Sequence, residues 1–324
     1  MLQTLELFGG IGAPRKALEK AGFDIRSIDY VEILPYAVKA YNNIFCNDYK
    51  PQDIKKWNMD VDLLIHGSPC QDFSKNGLNN INTGRSILYE RTLEIIEFEL
   101  LRRPKVVVWE NVPNLLSKRH RMHFEHYIKT MERLGYTNNY AIVNASEFGV
   151  PQARERVIAV STNNGNQFNF PSGIGHADLK DYLELNTEFS DYPLSQNELS
   201  LFFKQNGKLY VKEATKLGYK LVEEFDAVNV ERPNSKTRRG RVGKRMCHTL
   251  TTAPKHVVYY NDKLRYLTAK EHVRLTGYDD SDYEKLKCAG LSDKQISALM
   301  GNSIVVDMLV GIFDALREQG FLYG

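Results

Sequence analysis

"TLELFGGIGAPRKALEKAG", Thr4–Gly22, runs from an apolar segment through Gly9-Gly10-Ile11-Gly12 into a stretch with helical spacing that closes on Gly22. A strand, a glycine turn and a helix in that order start an open α/β sheet. They also place backbone N–H groups at a helix N-terminus, where a ligand can approach closely. The dinucleotide fingerprint would need a third glycine three residues after Gly12, and Arg15 stands there. Twenty residues after Gly12 comes Glu32, at the end of the next apolar run, followed by Ile33. An acid at that spacing suits the two ribose hydroxyls of an adenosine-type ligand. The pair favours a nucleoside cofactor and opposes a standard NAD site. Asp53 and Ile54, in "PQDIKKW", add a polar contact and an apolar surface for an adenine ring.

The alternation continues outward from this unit. "DIRSIDYVE" reads as a strand and "LPYAVKAYNNIF" as a helix with proline near its start. "VDLLIHG" and "KVVVWENV" read as buried strands, "ERTLEIIEFELLRR" (90–103) and "FEHYIKTMERLGY" as helices, and "NYAIVNA" and "RVIAVST" as strands. This rhythm predicts a largely parallel α/β sheet with helices on both faces. It breaks after "NNGNQ". From about Asp178 to Tyr260 the chain is polar, irregular and locally basic, which predicts a second, smaller domain. "HVVYYNDKLRYLT" reads as a hairpin turning at Asn261-Asp262. "SALMGNSIVVDMLVGIFDALREQG" reads as one apolar helix docked back on the large domain.

At 324 residues, 42% hydrophobic and 26% charged, the chain has the composition of a globular protein with a large and a small domain. The reading gives no apolar run near ~18 residues, hence no membrane span, and no leader is expected before "MLQTLELFGG". The four cysteines form no CxxC pair and no metal-ligand spacing. A reduced, cytoplasmic protein without structural zinc is expected. Net charge is only +3, but residues 230–255 carry eight basic side chains against one acid, Glu231. That local excess suits a phosphate-facing surface.

Three further stretches carry chemistry. In "LIHGSPCQDFS" (Leu64–Ser74), Cys70 follows Pro69 at the mouth of a turn, where a thiol is displayed and not packed. Glu110-Asn111 ends a buried strand, and partial burial at such a sheet edge suits a carboxyl that holds or delivers a proton. In "GVPQARERV", Gln152, Arg154 and Arg156 alternate, so they share one strand face. A thiol, an acid, an arginine pair and a nucleoside site together indicate covalent activation of an electron-poor ring, with group transfer from an adenosine cofactor.

The chain resembles the DNA (cytosine-5) methyltransferase family, with its motifs in family order over nearly the whole length. "LELFGGIGA" is similar to the AdoMet-binding motif, with Glu6 and Ala13 in place of the usual Asp and final Gly. "GSPCQDFS" resembles the nucleophile motif, "ENV" the catalytic-glutamate motif and "GVPQARERV" the Q-x-R-x-R motif. "RYLTAKEHVRLTGY" (Arg265–Tyr278) and "MGNSIVVDML" (Met300–Leu309) resemble the segments that brace the recognition domain and complete the cofactor pocket.

The resemblance implies a Rossmann-like AdoMet-dependent methyltransferase fold with a mixed sheet and a small, irregular, β-rich target recognition domain. Residues 1–180, completed by 285–324, would be catalytic, and 181–284 would recognise the target. Cys70 would be the nucleophile. Glu110 would act at ring nitrogen 3 and Arg156 at the ring carbonyl, with Arg154 supporting it or holding a phosphate. S-adenosyl-L-methionine would be held by Phe8, Gly10, Gly12, Glu32, Ile33, Asp53, Ile54, Pro69, Asn302 and Ser303. Gln71, Ser74 and Asn76 lie in "QDFSKNGLNNINTGRS", expected to be a mobile loop closing over a flipped base. Arg238, Arg239, Arg241, Lys244 and Arg245 would face DNA, with Gly240 and Gly243 letting the backbone near the groove. The partners implied are double-stranded DNA and a cognate restriction endonuclease, and a monomer is expected. A tRNA-methylating relative would carry Cys-Phe-Thr in the small domain, where this chain has only "MCHTLTT". A silent DNA-binding protein would have no use for Cys70, Glu110 and Arg156 together.

Overall fold

Residues 1–54, 61–68, 88–99, 103–188 and 192–323 are described by the computed structural model. By internal contacts they fall into two units. The first comprises residues 1–144, 155–173 and 306–324, and the second 145–154 and 174–305. Residues 145–154, 174–180 and 285–305, placed with the catalytic domain by sequence, thus group with the second unit.

The first unit is built on a six-stranded sheet. Its strands are β1 (Leu2–Leu7), β2 (Ile25–Val31), β3 (Leu63–His66), β4 (Val106–Asn111), β5 (Thr137–Asn144) and β7 (Glu155–Thr162), in the order β2-β1-β3-β4-β7-β5. The first four strands run parallel, and β7 lies antiparallel between β4 and β5. The sheet is therefore mixed. Its central strands are buried on both faces, which is why β4 reads as an unbroken apolar run. Helices α1 (Ala13–Lys20), α2 (Pro35–Phe45), α3 (Leu88–Glu94) and α4 (Arg121–Arg133) connect the strands. The helix expected over 90–103 begins at Leu88, and its α form gives way to a π turn at Ile95–Glu99.

Trp109 anchors the core of this unit. Its ring lies 4.1 Å from that of Tyr127 and stacks parallel to His66 at 5.8 Å. Burial pushes the His66 imidazole down to about 3, so it is neutral at physiological pH, and its Nε2 bonds the Tyr127 hydroxyl at 3.2 Å.

The second unit holds a four-stranded sheet in the order β12-β11-β14-β15, made of β11 (Ala227–Asn229), β12 (Arg241–Gly243), β14 (His256–Tyr260) and β15 (Lys263–Tyr266). A three-stranded sheet contains β8 (Phe202–Gln205), β9 (Lys208–Lys212) and β10 (Tyr219–Val222). A two-residue ladder pairs β6 (Gln152–Ala153) with β13 (Cys247–His248). Leu209, Val211, Val228, Val242 and Val257 pack between the two larger sheets. Asn261 and Asp262 both adopt positive φ, as the hairpin turn between β14 and β15 demands. Helices α5 (Gln196–Leu199), α6 (Ala269–Leu275), α7 (Asp280–Cys288) and α8 (Asp293–Asn302) complete the unit.

The C-terminal apolar segment corrects two expectations. It is two helices, α8 and α9 (Val306–Glu318), broken at residues 303–305. Residues 293–318 also reach the length and hydropathy of a membrane span, against the expectation of no such run, but 67% of that apolar window is buried inside the protein, as in a core helix. The end of α8 is closely packed against a distant part of the chain. A Cβ at Gly301 would sit 2.0 Å from the Thr251 carbonyl oxygen, so only glycine allows this approach. The carbonyls freed at the helix end, those of Gly301 and Ser303, are taken by the Arg154 guanidinium at 2.9 and 2.7 Å.

Candidate active site

The glycine turn after β1 is held from two sides. Gly10 donates its N–H to Glu32 Oε2 at 3.1 Å, while Ile33 and Leu34 donate to Oε1 at 2.8 and 2.9 Å. Three backbone donors fix the carboxylate and leave it acceptor capacity for a hydroxyl-bearing ligand. Gln52 donates its N–H to the Glu32 carbonyl at 2.8 Å, which brings Asp53 to the same edge. Ile33 is exposed, and Ile54 is buried in the core. Phe8, Gly10 and Gly12 all adopt positive φ. A Cβ at Gly12 would strike Phe45 and Tyr41, whereas one at Gly10 would meet nothing within 4 Å. The turn is thus packed from below and open at Gly10. This donor and acceptor set fits the ribose and backbone-facing groups of S-adenosyl-L-methionine.

The second cluster lies at the end of β4. Register places Glu110 opposite Ile158 and Asn111 opposite Val157. Arg156 Nε lies 2.6 Å from Glu110 Oε1, and the two side chains are 11% and 13% exposed. Each is therefore reachable by a ligand yet shielded from bulk water. A Cβ on Gly67 would lie 3.4 Å from Glu110 Oε2, so glycine there keeps the carboxylate uncrowded. Sequence reading missed Ser68, which takes a hydrogen bond from the Trp109 indole at 2.9 Å. Its carbonyl accepts from Asn111 Nδ2 at 3.3 Å. This clasp ties β4 to the chain that leads toward Cys70. No residue type or spacing signals it, because tryptophan in a strand usually means only packing. Pro69, Cys70, Gln71, Ser74 and Asn76 lie outside the described residues, as does the loop expected to close.

Arg154 departs from its expected place. It is 2% exposed, and its guanidinium donates to the carbonyls of Leu250, Gly301 and Ser303. All of these belong to the second unit. The strand expected to align Gln152, Arg154 and Arg156 is interrupted at Arg154. Gln152 instead accepts from Leu250 N–H and donates to the Leu275 carbonyl. Alternation puts residues on one face only while a strand is unbroken, so Arg154 is a structural brace and Arg156 alone meets Glu110. Asn302 and Ser303 sit at the end of α8 in the second unit.

The basic stretch is also divided. Lys244 pairs with Glu223 and with buried Asp226, at 2.7 and 2.8 Å. Arg245 pairs with Asp178. These two cations are committed to carboxylates. Arg239 donates to the Ser235 carbonyl, and Arg241 lies on β12. Gly240 and Gly243 serve internal packing, since a Cβ at either would fall 2.1 or 2.2 Å from a carbonyl oxygen of Lys212 or Met246. They do not open the backbone toward a groove. Cys247 is buried, and burial pushes its thiol well above the usual range. It is not an alternative nucleophile.

A mixed sheet of this order, with a glycine turn after its first strand and a carboxylate–guanidinium pair at its edge, defines an AdoMet-dependent methyltransferase fold. The chain belongs to the C-5 cytosine-specific DNA methylase family, whose model matches residues 2–318. It is 31% identical over 290 residues to the type II methyltransferase M2.ScrFI of Lactococcus lactis subsp. cremoris, covering 88% of this chain and 74% of that protein. The type II methyltransferase M.NlaX of Neisseria lactamica is 28% identical, with 98% and 96% covered. The orphan methyltransferase M.SPBetaI of Bacillus phage SPbeta is 26% identical, with 97% of each covered. Among solved structures, the Schizosaccharomyces pombe Dnmt2 methyltransferase superposes with a TM-score of 0.70 at 19% identity, covering 99% of this chain and 100% of that one. The activity is methylation of cytosine carbon 5 in DNA, with S-adenosyl-L-methionine as methyl donor.

Proposed function

We propose that this chain methylates one cytosine within a specific duplex sequence, with Cys70 as nucleophile, Glu110 at ring nitrogen 3 and Arg156 at the ring carbonyl. The Glu110–Arg156 pair carries this reading. It sets an acid and a fixed cation side by side at a sheet edge, matched to a ring nitrogen and its neighbouring carbonyl. Cytosine carbon 5 is a poor nucleophile. Attack of the Cys70 thiolate forms a sulfur–carbon 6 bond and drives an electron pair toward nitrogen 3 and the carbonyl. Glu110 neutralises the first by holding a proton there, and Arg156 stabilises the second. S-adenosyl-L-methionine, when bound, supplies an electrophilic methyl group. Loss of the carbon 5 proton to a base then expels the cysteine and restores the ring. The target atom is inaccessible in a stacked duplex, so the base is flipped out.

Residues 181–284 are proposed to recognise the sequence. Arg239 and Arg241 are favoured over Lys244 and Arg245, which are held in ion pairs. The type II names of the Lactococcus and Neisseria relatives favour a role in restriction-modification with a cognate endonuclease, and the orphan name of the phage relative favours a solitary or phage-borne role. The enzyme is proposed to act as a cytoplasmic monomer. The test is transfer of labelled methyl by wild type and Cys70→Ala to mixed-sequence duplex DNA and to bulk tRNA. Label on DNA from wild type alone supports the reading, and label on tRNA moves the substrate to RNA. Binding of DNA and cofactor without transfer by wild type favours a silent DNA-binding protein.

A further inference from the structure

Glu6 ends up buried beneath the glycine turn, on β1, with 1% of its surface exposed. Strand register sets Tyr30 on one side of it and Ile65 on the other. Oε1 accepts a 2.7 Å hydrogen bond from the Tyr41 hydroxyl, which itself accepts from Arg15 Nη1 at 3.4 Å. Oε2 is buried without a hydrogen-bond partner among the described residues. The Tyr41 ring stacks on Tyr30 at 3.8 Å, and the Tyr30 hydroxyl donates to the Gly10 carbonyl at 2.5 Å. The turn rests on these rings. A Cβ at Gly9 would come within 2.6 Å of Tyr30, and one at Gly12 within 2.7 Å of Tyr41.

This arrangement has a direction. With Glu6 ionised, donors run in series from Arg15 to Tyr41 to Glu6, and every hydroxyl proton has an acceptor. Protonation of the carboxyl removes the charge on which that series of donors ends and weakens its pull on the Tyr41 hydroxyl. Burial pushes the Glu6 carboxyl up to about 7, against the pull of Tyr41 and Arg15. The charged or titratable groups that reach it are Tyr41 from α2, Arg15 and Glu19 from α1, and Tyr30 beside it on β2. Both protonation states are therefore populated near neutral pH.

We propose that Glu6 is a proton-linked positioning residue, which through Tyr41 and Tyr30 sets the glycine turn and makes cofactor binding tighten as Glu6 ionises. The inference rests on the reading that residues 8–12 hold the cofactor. Glu6 itself touches no substrate.

The test is calorimetric binding of S-adenosyl-L-homocysteine between pH 6 and 8, in buffers of different ionisation enthalpy so that proton release is counted. Wild type should bind about tenfold more weakly at pH 6 than at pH 8, and should release a fraction of a proton on binding near pH 6.5. Glu6→Gln should fold and lose both the slope and the proton release. Tyr30→Phe should flatten the slope while leaving Glu6 in place. Glu6→Asp keeps the charge but falls short of Tyr41, and should also flatten it. A wild-type slope that survives in Glu6→Gln overturns the proposal and leaves the cofactor site standing. Failure of wild type to bind at any pH overturns both.

Discussion

Two arginine–glutamate pairs do opposite jobs in this protein. Arg156–Glu110, in the first unit, is partly open and makes one close contact at 2.6 Å, with Arg156 also donating to the Glu155 carbonyl at 2.7 Å. Arg265–Glu271, in the second, has no exposed surface on either side chain. There the guanidinium grips the carboxylate with two nitrogens, at 2.9 and 2.6 Å, and also reaches Tyr260 and the carbonyls of Tyr266 and Glu184. Glu271 in turn accepts the Thr268 N–H that starts α6. A pair with every donor and acceptor satisfied cannot exchange partners without unfolding. A pair with one contact and an open side can trade that contact for a ligand.

This contrast is open to direct attack. Glu110→Gln should lower methyl transfer by ~10²–10⁴-fold while the denaturation midpoint stays near that of wild type. A stability loss as large as that of the buried pair would erase the distinction. Arg265→Leu leaves a bare carboxylate in the interior and should cost about 3–5 kcal/mol in denaturant unfolding. Replacing both partners with apolar residues should recover most of that loss, which would separate the harm of an unpaired charge from the worth of the pair. Trp109→Phe removes one buried donor from Ser68. It should cost about 1–3 kcal/mol and slow transfer without changing cofactor affinity.

A fourth expected outcome concerns pH. Burial acts to raise the Glu198 carboxyl, but hydrogen bonds from Lys255, Ser195 and Tyr266 overcome it and hold the group down to about 2. Its folded value is depressed, so its contribution is present above the ordinary carboxylate range. It is lost as pH falls from about 4.5 toward 2. Glu198→Gln should abolish that acid step, as read by denaturation between pH 2 and 5. The smallest effect should come from DNA binding. Arg239→Ala should reduce the salt slope by about one phosphate contact, and Lys244→Ala by less, since Lys244 is already neutralised.

Much of the first unit was legible because its signals are local. Apolar runs gave the strands and the glycines fixed the turn; in the second unit only the Asn261-Asp262 hairpin carried so local a signal. The Glu110 and Arg156 positions were legible for the same reason: each lies near the end of a buried strand. What stayed hidden depends on partners far along the chain. Arg154 looks like Arg156 in sequence, but its acceptors are carbonyls at 250, 301 and 303. The helix break at 303–305 depends on the same contacts and on how closely Thr251 approaches Gly301. Lys244 looked available for phosphate because its neighbours are basic. The acids that claim it, Glu223 and Asp226, lie about twenty residues earlier.

The pairing of the two most distant helices bears on how the protein is made. Lys20 on α1 meets Asp307 on α9 at 2.9 Å across 287 residues of sequence, and Arg317 reaches back to the Ala21 carbonyl at 2.6 Å. At a synthesis rate of about 5–20 residues per second, α1 waits roughly 15–60 s on the ribosome for its cover. During that interval the segments of the second unit have all been translated. A nascent chain stalled before Val306 would therefore expose the apolar face of α1 to chaperones and proteases, however well the rest had folded.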